Sequence, residues 1–127
     1  MLIIITGVSG SGKSEYAEQI CCRLAGDNKK YYVATMQPFG EEGSIRIEKH
    51  KRQREGKGFE TIEQYQNIGS ALDCCDKEER PVVLVECMSN LLANECFGEA
   101  GKPDDIFDGC MKLYSECRHL VIVTNEV

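Results

Sequence analysis

One stretch near the start of the chain constrains its fold more than any other. Gly7-Val8-Ser9-Gly10-Ser11-Gly12-Lys13-Ser14 satisfies G-x-x-x-x-G-K-S at every defined position. A short apolar, β-branched run, Leu2 to Thr6, precedes it. A segment with apolar residues at helical spacing (Tyr16, Ala17, Ile20, Cys21 and Leu24) follows it and closes at Gly26. Strand, glycine-rich turn and helix is the setting a phosphate-binding loop needs. Glycines let successive backbone N–H groups turn toward one center, and the helix N-terminus adds partial positive charge there. Lys13 brings a full charge toward the β- and γ-phosphates, and Ser14 offers a hydroxyl to Mg²⁺. Gly7, Val8, Ser9, Gly10, Ser11, Gly12, Lys13 and Ser14 are therefore the predicted nucleoside-triphosphate site. The loop does not specify what receives the phosphate.

Three further apolar runs read as strands: Lys30 to Ala34, Pro81 to Glu86 and His119 to Thr124. Phe59 to Ile62 reads as a short fourth. Helices are predicted over 44–55, opening at Ser44, and over 64–76, 88–97 and 104–117. Residues 35–43 read as a loop broken by Pro38, Gly40 and Gly43. Alternating strands and helices imply an α/β class, with right-handed crossovers, a mainly parallel sheet and helices on both faces. At 127 residues this is one domain over 1–127. No helix is expected after the last strand, so its apolar face predicts a homo-oligomer.

The net charge of −6 argues against a general nucleic-acid coat. No apolar run is long enough to span a membrane, and the start does not read as a leader, so a cytoplasmic protein is expected. Eight cysteines occur with no C-x-x-C spacing and are read as reduced thiols filling small core positions.

Two features bear on chemistry besides the loop. A carboxylate at the end of a neighboring strand should hold the metal or its water; Glu86, closing Val82-Val83-Leu84-Val85, fits, and Glu126 is a second choice. The one basic stretch is Arg46 to Lys57, where Arg46, His50 and Arg54 lie four apart and share a helix face. An imidazole flanked by guanidinium groups suits a phosphate site, and the flanking cations favor the neutral, nucleophilic ring. The same run also reads simply as a solvated helix face.

Taken together, GVSGSGKS, YYVATMQ, RIEKHK, FETIE, VVLVEC with NLLANE, and VTNEV resemble, in that order, the adenosylcobinamide kinase/adenosylcobinamide-phosphate guanylyltransferase family of cobalamin assembly and salvage. The resemblance runs over residues 2–127. It implies a RecA-like P-loop NTPase fold and a trimer. It implies phosphorylation of adenosylcobinamide, a corrinoid, with ATP or GTP as donor, and then transfer of GMP from GTP through a guanylylated histidine. By position, His50 would be that histidine, with Lys13 catalytic beside it. Thr35, Met36 and Gln37, then Lys51, Arg52, Gln53 and Arg54, would lie along the nucleotide. Glu63 and Glu86 would match the family's acidic contacts, with Ser14 and Glu86 on Mg²⁺. Val8 and Gly10 depart from the family's usual loop residues, and Phe59 stands where a tryptophan is usual. The family continues past VTNEV, so the resemblance is to a C-terminally truncated member. Two alternatives stay open: a P-loop kinase for another small molecule, without covalent GMP, and a shortened, non-catalytic nucleotide binder.

Overall fold

The apolar runs come together as a single parallel sheet. The computed structural model of the chain describes residues 1–8, 10–38 and 40–125. Its strands are β1 (Leu2–Gly7), β2 (Lys30–Ala34), β3 (Phe59–Glu63), β4 (Val82–Glu86) and β5 (His119–Asn125), in the order β1-β5-β4-β2-β3. Every neighboring pair is parallel. The helices are α1 (Lys13–Ala25), α2 (Gly40–Arg54), α3 (Met88–Phe97) and α4 (Ile106–Glu116).

Strand alternation divides the core into two layers. Val82 and Leu84 of β4, with Val121 and Val123 of β5, face Ala17, Cys21 and Ala25 of α1. Val83 and Val85, with Leu120 and Ile122, face Leu91 of α3, Leu113 of α4 and the segment around Ile68 and Leu72. Helices thus cover both faces, as the unbroken apolar character of β4 predicts. The register sets Gly7 beside Asn125, and Glu86 beside both Ala34 and Val123, so the carboxyl ends of the strands form one rim.

Several expectations are corrected. Residues 64–76 do not form an α-helix. Ile68–Ser70 makes one 3₁₀ turn that continues into further turns. Ile68, Ala71 and Leu72 do reach the core at helical spacing, but Asn67 takes a left-handed φ of 54° and stops any earlier turn from joining. Helix α2 begins at Gly40, not Ser44. The Ser44 hydroxyl donates back to the Gly40 carbonyl at 3.1 Å from inside the helix, and Glu41 and Glu42 supply negative charge to the first turn. The bare strand is β1, not β5. Strand β5 is central and covered on both faces, whereas Ile3 and Ile5 of β1 pack toward α1 while Leu2 and Ile4 are exposed at the sheet edge.

Close approach at glycine seats α4. A Cβ on Gly109 would lie 2.9 Å from Ile68 Cγ2 and 3.1 Å from the Gly69 nitrogen, so the helix can meet that turn only without a side chain there.

The eight cysteines are all thiols, but they are not uniformly core residues. Cys21, Cys87 and Cys117 are buried, while Cys74 and Cys96 are exposed. Burial pushes the Cys21 thiol up to about 12 and Cys117 to about 11. A raised thiol value means less thiolate at pH 8, and thiolate is the reactive form. Timed alkylation of the native protein at pH 8, read by peptide mass spectrometry, is expected to modify Cys74 and Cys96 first. Cys21 and Cys117 are expected to react only after denaturation. Among the described residues no group of three or more His, Cys, Asp or Glu side chains is placed to hold a metal ion.

Candidate active site

The loop after β1 closes in the shape its glycines permit. Gly10 and Gly12 take φ of 79° and 85°, left-handed values that an L side chain resists, and Gly12 caps α1. The Lys13 ammonium donates to the Val8 carbonyl at 3.0 Å, so the lysine lies along the loop.

Glu86 joins this loop to the rest of the rim. Its carboxyl is buried at the end of β4, accepts the Ser14 hydroxyl on one oxygen and accepts the Tyr32 hydroxyl on the other. Burial first, and then the neighboring Glu86 charge, push the Tyr32 phenol well above its usual range, which keeps it protonated as a donor. The Arg54 guanidinium lies over the Tyr32 ring, 3.5 Å from its centroid, and donates to Thr61 Oγ1 at 3.2 Å.

His50 stands one turn before Arg54 on α2. Its Nδ1 is 3.7 Å from a Glu86 oxygen, beyond hydrogen-bond length, and has no hydrogen-bond partner among the described residues. Arg46, His50 and Arg54 do share a face, and all three line one hollow with Lys13, Ser14, Met36, Lys51, Glu63 and Glu86. A second hollow shares Gly10, Lys13, Ser14, Arg46 and His50 with the first and is lined further by Gly12, Glu15, Lys49 and Gln53. His50 and Lys13 therefore both border two adjoining, cation-lined hollows.

Not every predicted residue reaches these hollows. Thr35 is fully buried; its hydroxyl donates to the Cys87 carbonyl and accepts the Cys87 N–H, both at 2.8 Å, which ties the end of β2 to the end of β4. Arg52 is exposed and faces Glu48 at 3.8 Å. Gln37 borders a separate shallow groove with Glu63, Gln64 and Tyr65. Gly7, Val8 and Ser11 shape the loop without lining either hollow. Ser9 and Glu126 lie outside the described residues.

The structure also adds residues to the site. Tyr32, Asn90 and Asn125 line the first hollow. Glu18 of α1 receives Lys57 Nζ at 2.8 Å and Gln53 Nε2 at 3.2 Å. Burial raises the Glu18 carboxyl, with Lys57 pulling the other way. Asn125 was readable as the polar end of an apolar strand. Glu18 was not: it interrupts the apolar positions of α1 as any surface helical glutamate would.

A glycine loop between a parallel strand and a helix, with its serine bonded to an acidic strand end, places this chain among the P-loop nucleoside-triphosphate-binding α/β proteins. A likeness of fold agrees: a unique ATP synthase subunit, NeqB, from Nanoarcheaum equitans superposes with a TM-score of 0.58 at 14% identity, over 99% of this chain and 39% of that one. The family model for cobinamide kinase / cobinamide phosphate guanyltransferase matches residues 3–127, and the chain belongs to that family. It is 33% identical to the bifunctional adenosylcobalamin biosynthesis protein CobU of Escherichia coli K12, over 100% of this chain and 76% of that protein. It is 30% identical to the CobU of Salmonella typhimurium LT2 over the same shares. No helix among the described residues is long and apolar enough to cross a membrane.

Proposed function

We propose that this chain phosphorylates adenosylcobinamide and then transfers GMP from GTP to the resulting phosphate through a guanylylated His50. The observation that carries this reading is the placement of the imidazole. It borders both hollows beside the phosphate loop, and its Nδ1 faces the carboxylate that accepts the loop's Ser14 hydroxyl. Nδ1 is turned inward to Glu86, so Nε2 is the nitrogen left to act.

In the first half of guanylyl transfer, Nε2 attacks the α-phosphorus of GTP. A nitrogen–phosphorus bond forms, the bond to the bridging oxygen breaks, and pyrophosphate leaves with that electron pair. Lys13 stabilizes the negative charge gathering on the leaving group. In the second half, a phosphate oxygen of the corrinoid attacks the same phosphorus, the nitrogen–phosphorus bond breaks, and the imidazole is restored. Dividing the reaction this way means nucleotide and corrinoid need not be poised together. The hard oxygen donors Ser14 and Glu86 suit Mg²⁺, which when bound neutralizes charge on the phosphate oxygens. In the kinase half, the same loop and Lys13 position the γ-phosphoryl group for an alcohol acceptor.

A cytoplasmic, self-associating protein, a trimer by family resemblance, belongs to the same reading, with the open edge of β1 as the surface to examine. The deciding experiment is intact-protein mass after exposure to GTP and Mg²⁺. A GMP-sized increment, lost in acid and retained in alkali, is expected. An unchanged mass overturns the covalent mechanism in favor of a kinase or a nucleotide-binding protein.

A further inference from the structure

Among the described residues, Glu18 is the only acidic or basic side chain with no solvent exposure at all. A buried carboxylate persists only where hydrogen bonds and opposite charge offset its lost hydration. Both partners of Glu18 come from one place, the C-terminal end of α2: Gln53 inside the helix and Lys57 just beyond it.

That placement bears on His50. Helix α2 has almost no apolar footing, since Arg54 is its only buried residue and Ile45 is exposed. A helix that buries no apolar stripe takes its position from its polar anchors instead. Among the described residues the anchors of α2 are few: Arg54 over Tyr32 and onto Thr61, and Gln53 with Lys57 on Glu18. Gln53 stands one turn after His50 on α2. Glu18 stands one turn after Ser14 on α1, the helix that grows directly out of the phosphate loop. The carboxylate therefore spans from the loop's own helix to the helix that carries the imidazole.

We infer that Glu18 is a positioning residue for guanylyl transfer: it fixes the distance between the phosphate loop and His50 by clamping α2 to α1 through Gln53 and Lys57. It lines neither hollow, so it acts only through the helix it holds. The inference rests on the reading that His50 takes GMP. Its consequence is a split effect. The triphosphate is held first by the loop, which the clamp does not touch, so loss of the clamp weakens GTP binding far less than it slows attack, whose rate depends on where the imidazole stands. A displacement of about 1 Å can cost on the order of 100-fold in rate.

The test compares the wild-type chain with Glu18→Gln and Lys57→Gln. GMP attachment is followed in a single turnover at saturating GTP and Mg²⁺ by intact mass, GTP affinity is measured by calorimetry, and thermal midpoints are recorded. Glu18→Gln is expected to slow attachment by about 100-fold, with GTP affinity changed by no more than about threefold, the signature of a loss confined to the transition state. Lys57→Gln is expected to slow attachment in the same direction by a smaller factor. Lys57 is partly exposed, so this variant decides the matter if Glu18→Gln does not fold. Wild-type attachment rates in the folded variants overturn the inference, as does a loss fully explained by weaker GTP binding or a smaller folded fraction. A wild type that takes up no GMP overturns the guanylyl-transfer reading itself, and the positioning role with it.

Discussion

His50→Ala is expected to remove covalent GMP entirely. The rate of guanylyl transfer should fall on the order of 10⁶-fold, as it does when an enzyme loses its covalent nucleophile. The other histidine cannot substitute. His119, the only other histidine, begins β5, where its Nδ1 meets the terminal amine of Met1. Strand β5 presents its opposite end, Asn125, to the hollow. Phosphoryl transfer to the corrinoid alcohol should survive the substitution far better, losing no more than about tenfold, because that step draws on loop amides, Lys13 and the acidic strand end rather than on an imidazole. The two activities are measured separately, as α-labeled GMP on the protein and as labeled phosphate on the corrinoid. Label persisting on His50→Ala would assign the nucleophile elsewhere. Loss of both activities in equal measure would make His50 a binding group and not a nucleophile.

That Arg46, His50 and Arg54 share a face follows from spacing, while the role of His50 follows from the family resemblance; what spacing reveals and what it hides have the same cause. Residues four apart share a helix face whatever the helix packs against, so Arg46, His50 and Arg54 were legible as a set. What the face meets is a tertiary fact. The carboxylate opposite Nδ1 lies on β4, and nothing local to either segment announces the encounter. Glu86 itself was legible because it ends an unbroken apolar strand, a chemical interruption at a position where strands stop. Thr35 directly follows its strand, yet its hydroxyl turns inward to Cys87, which the sequence has no means of declaring.

The fold divides along the same line. Strands β2, β4 and β5 were found within a residue of their bounds, because runs buried on both faces carry a continuous apolar signal. Such a run reads alike at the center and at the edge of a parallel sheet, so the apolar run Leu2 to Thr6 does not show that β1 is an edge with Ile4 exposed. The segment from Gln64 to Asp76 misled for a different reason. Its apolar spacing is helical, but only one turn of it is needed to insert Ile68, Ala71 and Leu72, and the meeting of Gly69 with Gly109 sets its path from the outside.

Lys13→Ala is expected to depress both activities together, and that coupling is its diagnostic value. Lys13 lines both of the hollows that His50 borders, so a triphosphate reaching into either one meets the same cation. Its present bond, to the Val8 carbonyl at 3.0 Å, is an exposed contact within the loop, and losing it should leave the fold intact. Pyrophosphate departure and γ-phosphoryl transfer each build negative charge next to this group, and removing one such stabilizing donor costs on the order of 100- to 1,000-fold in rate. Guanylyl attachment and corrinoid phosphorylation should therefore both fall by factors in that range, alongside weaker GTP binding by calorimetry and an unchanged far-UV circular dichroism spectrum. Set beside His50→Ala, the pattern separates two designs. One loop serving two chemistries gives a joint loss from Lys13→Ala and a selective loss from His50→Ala. A second triphosphate site elsewhere on the molecule would leave one of the two activities intact in Lys13→Ala.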